Sequence, residues 1–186
     1  MNLVLVGHGS IGSRYKNSII EKFTNIEEFY IVDNNPKVIN SLRQEGLNCY
    51  ESLEALKKIN KQISHGIVAN WGPDHLKTAN ALIDMGCKKL IIEKPLSSRL
   101  DELEEFKVRC AKDNIFVTIH HHWSYTNIFE KIKEAEEEHK MGNPIGIRLL
   151  GGAVCLSTNG THEMDLACKI LDSTPLEVTA DLELYY

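Results

Sequence analysis

Short apolar runs alternate with longer segments of helical period over roughly the first 120 residues of the chain. Residues 3–6, 29–32, 47–50, 66–69, 90–92 and 115–119 have the length and β-branched, aliphatic character of strands. The segments between them carry apolar residues at helical spacing. That alternation predicts a parallel sheet with crossover helices, an α/β fold. In the first helical segment Ile11, Tyr15, Ile19, Ile20 and Phe23 are read as one face that packs on the sheet.

Punctuation supports the same division. Pro36 suits a helix first turn and Gly46 a stop, and Pro73 with Gly86 bracket a further helix in the same way. Ser98 followed by Asp101 reads as a capping box with the shorter acid, opening a helix to about Lys112. Beyond Ile119 the pattern changes. His120-His121-His122-Trp123 leads into a highly charged helix over 127–140, then a predicted strand over 145–150, a helix over 161–171 and a strand over 178–186. The expected domains are residues 1–120, a nucleotide-binding unit, and residues 121–186, an incomplete α/β or α+β unit for substrate and oligomer contacts. The apolar last strand, unpaired within such a short unit, predicts a homo-oligomer.

Charge and cysteine usage narrow the partners. A formal net charge of -5 over 186 residues argues against a nucleic-acid backbone, which calls for a basic face. Cys49, Cys87, Cys110, Cys155 and Cys168 are odd in number and lack C-x-x-C spacing. They read as reduced thiols of a cytoplasmic protein rather than a disulfide frame or zinc knot. No apolar run approaches a membrane span, so a membrane partner is not expected.

The chemistry begins at the first strand, which runs into Gly7-His8-Gly9-Ser10-Ile11-Gly12 and then a helix. Gly7 serves the tight turn, Gly9 the close approach of a pyrophosphate, and Gly12 close contact between helix and strand. The helix N-terminus, at Ser10 and Ile11, offers N–H groups to phosphate. Asp33, at the end of the second strand with Asn34 beside it, is placed to accept hydrogen bonds from an adenosine ribose; its alternative role is to cap the helix starting at Pro36. A carboxylate there repels the additional phosphate of NADP, so NAD is the preferred cofactor. Asn70, Trp71 and His75, in the turn after the fourth strand, face the nicotinamide half, although first-turn packing explains His75 equally well. Lys94 leaves the fifth strand at the same sheet edge, with Glu93 to orient it and Pro95 to stiffen the exit. Three histidines in succession on an extended backbone point to alternating faces, so no metal site is expected. His122 is a candidate for the substrate cleft. His162, before a helix, is a candidate acid or base.

Taken together, the loop Gly7-x-Gly9-x-x-Gly12, a strand-to-helix turn ending in His75, Glu93-Lys94-Pro95, and Gly160-Thr161-His162-Glu163-Met164-Asp165 resemble the glucose-fructose oxidoreductase, inositol dehydrogenase and MocA (Gfo/Idh/MocA) family. The resemblance covers nearly the whole chain, and its later two motifs are the more specific. It implies a Rossmann domain followed by a domain with a large, mostly antiparallel sheet, and NAD(P)-linked oxidation or reduction of sugars, cyclitols or nucleotide sugars. It makes Lys94 and His162 the catalytic pair, with Lys94, His122, Thr158, Asn159 and His162 at the substrate. Members often carry an aspartate four residues before the histidine, where this chain has Thr158. The usual Thr-Pro-Asn turn is Asn70-Trp71-Gly72 here, and His122 stands where an arginine is expected. The alternative to an enzyme is a truncated, non-catalytic NAD-binding protein or assembly partner.

Overall fold

The computed structural model describes residues 1–150 and 159–179. Cys155, Thr158 and the expected strand residues from 180 on lie outside them. The chain packs as two units, Met1–His120 and the residues from His121 on.

The first unit is a six-stranded sheet. Its strands are β1 (Asn2–Val6), β2 (Glu28–Val32), β3 (Asn48–Tyr50), β4 (His65–Val68), β5 (Lys89–Glu93) and β6 (Phe116–His120). They lie in the order β3-β2-β1-β4-β5-β6, and every pairing is parallel. The order reverses between β1 and β4, so the crevice of a doubly wound sheet opens at their carboxyl ends. Each strand predicted within this unit is present, displaced by one residue at most at its ends.

Helices cover both faces, which explains why the central strands are apolar at nearly every position. On one face Val4, Val6, Val68, Leu90 and Ile92 pack with Leu76, Ala79, Leu82 and Ile83 of α4 (His75–Asp84) and Phe106 of α5 (Leu100–Asp113). On the other, Leu3, Leu5 and Ile67 meet Ile19 of α1 (Ser10–Lys22), while Ile31 and Cys49 meet Ile39 and Leu42 of α2 (Pro36–Gln44). The expected α1 face is narrower than the sequence suggests. Ile19 is buried and Tyr15 partly so, but Ile20 and Phe23 are 55% and 53% exposed, because the sheet covers only the arc through Gly12, Tyr15 and Ile19.

Two local expectations are corrected. Helix α5 has Arg99, not Ser98, as its N-cap, with no side-chain cap bond. Ser97 Oγ takes the Arg99 N–H at 3.0 Å, and Asp101 pairs with the Arg99 guanidinium. Ser98 lies one residue too early to cap this helix. A five-residue helix, α3 (Leu53–Lys57), was not anticipated; Ser52 Oγ caps it by accepting the Ala55 N–H at 3.1 Å.

The second unit contains a 3-10 turn (His122–Tyr125), α6 (Ile128–Glu138) and α7 (Thr161–Ile170). Residues 145–150 form no strand. A ladder needs a partner, and these residues have none among those described, so Ile145 and Leu150 are left largely exposed. No helix among the described residues is long and apolar enough to cross a membrane.

Candidate functional site

Five of the six strands deliver a candidate residue to the carboxyl edge of the sheet. The glycine loop follows β1, Asp33 follows β2, Asn70 lies two residues past β4, Glu93 ends β5 with Lys94 next, and His120 ends β6.

Each glycine of the loop answers a different constraint. Gly7 has φ +91°, and a Cβ there would lie 2.5 Å from the Asn70 nitrogen and 2.6 Å from the Ala69 carbonyl. It permits both the turn and the close approach of the β4 exit. A Cβ on Gly12 would lie 2.0 Å from the Gly7 carbonyl oxygen, so this glycine lets α1 seat on the loop itself rather than on a strand. Gly9 differs from both. Its φ of -75° suits any residue, and a Cβ would meet nothing within 4 Å. The fold itself does not fill that space, which is open to a ligand. No side chain caps α1, and its first turn carries no acid, so its N–H groups and positive dipole end are presented to an anion.

Asp33 is half buried, and both its oxygens are engaged by the backbone. Oδ2 accepts the His8 N–H at 2.7 Å and Oδ1 accepts the Asn35 N–H at 2.8 Å. The helix-capping alternative fails, since Asn35 is the cap of α2, accepting the Lys37 N–H at 3.0 Å. Asp33 instead ties the glycine loop to the β2 exit, and each oxygen retains a lone pair for a ribose hydroxyl. Asn34 is exposed beside it. Burial, followed by the charge of Lys16, lowers the His8 imidazole below its ordinary range, which favours a neutral ring at the loop.

At the β4 exit, Asn70 Nδ2 donates to Thr78 Oγ1 at 2.9 Å, while Asn70 Oδ1 and His8 Nε2 are buried polar atoms without a partner among the described residues. Unsatisfied atoms of this kind, beside a loop with open space at Gly9, fit a polar ligand. Trp71 is 73% exposed. His75 is 2% exposed, with Nδ1 2.8 Å from the Pro95 oxygen and Nε2 3.1 Å from the Asn70 oxygen, so its ring is packed at the first turn of α4. It clamps the β4 exit to the segment that carries Lys94.

Lys94 is half buried, directly after β5. Glu93, 6% exposed, receives Tyr15 Oη at 2.8 Å and His120 Nδ1 at 2.6 Å, and the Tyr15 and His120 rings stack at 5.5 Å. Burial raises the Glu93 carboxyl, but the hydrogen bonds from His120 and Tyr15, with the charges of His120 and Lys94, bring it below its ordinary value. The carboxylate is therefore held ionised beside Lys94. In the sequence Tyr15 reads only as part of the packing face of α1 and His120 only as part of the histidine run; their separations from Glu93, 78 and 27 positions, hide the cluster.

In the second unit His162 is 5% exposed at the start of α7. His121 Nδ1 lies 3.2 Å from its Nδ1, and the His122 ring stands edge-on to it at 4.3 Å. The alternation expected of the histidine run stops at His120, because the chain turns into the 3-10 segment and brings His121 and His122 to the same ring. No group of three or more His, Cys, Asp or Glu side chains among the described residues could hold a metal ion. Asn159 is exposed just before α7; Thr158 lies outside the described residues.

The sequence profile described as "Oxidoreductase family, NAD-binding Rossmann fold" matches residues 1–121, and its family is Gfo/Idh/MocA. The chain belongs to the Gfo/Idh/MocA family. Among solved structures, a probable dehydrogenase from Thermotoga maritima superposes with a TM-score of 0.74 at 18% identity, covering 92% of this chain and 55% of that one. An NAD-binding protein from Listeria innocua gives 0.71 at 22% identity, with 88% and 52% covered. Scyllo-inositol dehydrogenase from Lactobacillus casei, solved with NAD(H) and scyllo-inositol, gives 0.67 at 16% identity, with 77% and 42% covered. At these identities the likeness is one of fold, and the chain spans about half the length of the structures it matches. No curated protein sequence matches. The glycine loop and Glu93-Lys94-Pro95 both lie inside the matched residues.

Proposed function

We propose that the chain is an NAD-dependent oxidoreductase, or the nucleotide-binding part of one, acting on a carbinol or carbonyl carbon of a sugar, cyclitol or nucleotide sugar. The observation that carries this reading is the arrangement at one sheet edge of an open Gly9, a ribose-ready Asp33 and a half-buried Lys94 beside an ionised Glu93. Gly7, Gly9, Ser10, Ile11 and Gly12 would hold the pyrophosphate, and Asp33 with Asn34 the adenosine ribose. Asn70, Trp71 and the Glu93–Lys94 segment would hold the nicotinamide half, with His75 supporting them from behind. NAD is preferred over NADP because the Asp33 carboxylate would meet the extra phosphate.

The nicotinamide ring supplies the acceptor or donor for a hydride. The protein's part is proton handling. In oxidation Lys94 would polarise the carbinol oxygen and the O–H proton would pass to His162 as the C–H hydride leaves; reduction runs the reverse. Lys94, His122, Thr158, Asn159 and His162 are the proposed substrate residues. A second unit of α+β type that assembles into a homo-oligomer is part of the proposal, in line with the exposed Ile145, Leu150 and Leu176. A reducing, cytoplasmic setting is supported by the free thiols Cys49, Cys87, Cys110 and Cys168.

One observation favours a non-catalytic NAD-binding protein instead, namely Thr158 where relatives often carry an aspartate. A screen of sugars, inositols and nucleotide sugars with NAD⁺ or NADH, followed at the nicotinamide absorbance, separates the two. Turnover lost in Lys94→Ala supports the enzyme. Cofactor binding without turnover on any of the panel supports the binding protein.

A further inference from the structure

We propose that His121 is the positioning residue of His162, a neutral hydrogen-bond acceptor that holds the second imidazole in the tautomer needed to take a proton at Nε2. The inference rests on the reading of His162 as the proton-exchanging group.

His162 is 5% exposed, and α7 offers it no side-chain cap partner, since Gly160 is the N-cap. A buried imidazole requires a defined partner for its ring nitrogens. The Nδ1 of His162 has one in His121 Nδ1, at 3.2 Å. A neutral imidazole donates from one nitrogen and accepts at the other, so a bond between two Nδ1 atoms obliges the rings to be opposite tautomers. Only one of the two arrangements suits general-base work at His162. His162 carries its proton on Nδ1 and donates it to the Nδ1 lone pair of His121, whose own proton is on Nε2. The Nε2 lone pair of His162 then accepts a proton from a substrate hydroxyl. The bond breaking is O–H and the bond forming is Nε2–H; the charge that develops on His162 is stabilised by the His121 acceptor, and nothing needs to leave Nδ1.

The surroundings hold this pair in place. His122 packs on His162 at 4.3 Å with the rings 75° apart, and His121 meets it at 5.2 Å and 88°, so two neighbours restrict rotation of the His162 ring. Ser124, two residues past His122, donates its hydroxyl to Asp165, one turn along α7 from His162. Lys169 closes on the same carboxylate at 3.4 Å. The segment carrying His121 and His122 is thereby pinned to the helix that carries His162. His121 thus supplies an orienting partner in a chain whose residue four before the histidine is a threonine rather than an acid.

The test is long-range proton–nitrogen NMR on the full chain labelled with ¹⁵N-histidine, with His162→Gln identifying the resonances. The expected wild-type spectrum shows His162 as the Nδ1–H tautomer at neutral pH. His121→Phe, which keeps a ring but no acceptor, shifts it toward the mixture seen for free imidazole; His121→Asn, whose amide oxygen reaches the Nδ1 place, restores it. An Nε2–H tautomer in the wild type overturns the proposal without any variant, as does an unchanged tautomer in a folded His121→Phe. On a substrate found by screening, His121→Phe is expected to lower kcat by roughly 10-fold or more, in the range of other orienting partners, with KM for NADH unchanged and most of the rate recovered in His121→Asn. Full turnover in His162→Ala would refute the role of His162, and the NMR result would still decide the role of His121.

Discussion

Asp33 Oδ2 accepts the backbone N–H of His8 at 2.7 Å. This bond joins the end of β2 to the middle of the glycine loop across 25 positions of sequence, so the carboxylate proposed to take the adenosine ribose is also a strut of the loop proposed to take the pyrophosphate. On the proposed reading, loop shape and cofactor choice are coupled in a single side chain. Asp33→Ala is expected to weaken NADH binding through both routes, and Asp33→Asn less so, because its amide oxygen can still accept the His8 N–H. Titration calorimetry on the two variants checks the order.

Gly9 and Gly12 should separate binding from folding. Gly9→Val adds a side chain into open space at an ordinary φ; stability is expected to fall by about 1 kcal/mol at most, the loss of a good N-cap residue, while NADH binding is lost because the side chain takes the pyrophosphate's place. Gly12→Ala puts a methyl 2.0 Å from the Gly7 oxygen, and forcing α1 off the loop is expected to cost about 1–3 kcal/mol or more. Urea unfolding beside calorimetry reads both effects.

These contrasts show what the chain discloses by itself. The six strands were legible because each central strand is buried on both faces and is therefore written as an uninterrupted apolar run. The glycine loop was legible because its spacing is imposed by backbone approach. By comparison, the outward positions of Ile20 and Phe23 depend on how much of α1 the sheet covers, which periodicity does not encode. The cap at Ser98 was misplaced because the Ser97 hydroxyl and the Arg99–Asp101 ion pair compete at the same turn. The Tyr15–Glu93–His120 and His121–His162 contacts join residues far apart in sequence, and no local pattern announces them. Residues 145–150 have strand composition, but a strand exists only with a partner.

Acid should reveal the Glu93 cluster. Its carboxyl is lowered from an ordinary value of 4.5, so it favours the folded state fully above that pH, and the benefit is lost as pH falls through the lower folded value. Wild-type unfolding free energy is expected to decline between about pH 5 and pH 3 more steeply than that of Glu93→Gln, in which this group no longer titrates. Parallel curves for the two proteins would show that Tyr15 and His120 do not hold Glu93 ionised.

His75→Ala removes the ring packed between the Pro95 and Asn70 carbonyls, and with it the one N–H that a neutral imidazole donates, in a site that is 2% exposed. A loss of about 2–3 kcal/mol in unfolding free energy is expected, read by chemical denaturation. A change below about 0.5 kcal/mol would mean the clamp is dispensable.

Lys94→Ala tests the assignment of the reacting oxygen. On any substrate the screen identifies, kcat should fall by roughly 100-fold to 10,000-fold, the range for general acid–base assistance, with NADH affinity changed far less than kcat. A smaller loss accompanied by weaker NADH binding would make Lys94 a cofactor-orienting residue.

The central claim is that the carboxyl edge of this sheet holds a dinucleotide with its adenosine ribose on Asp33. Calorimetric titration of the full chain with NADH and with NADPH, under one set of conditions, tests it most directly. NADH is expected to bind more tightly. Equal affinities, or tighter binding of NADPH, would contradict it.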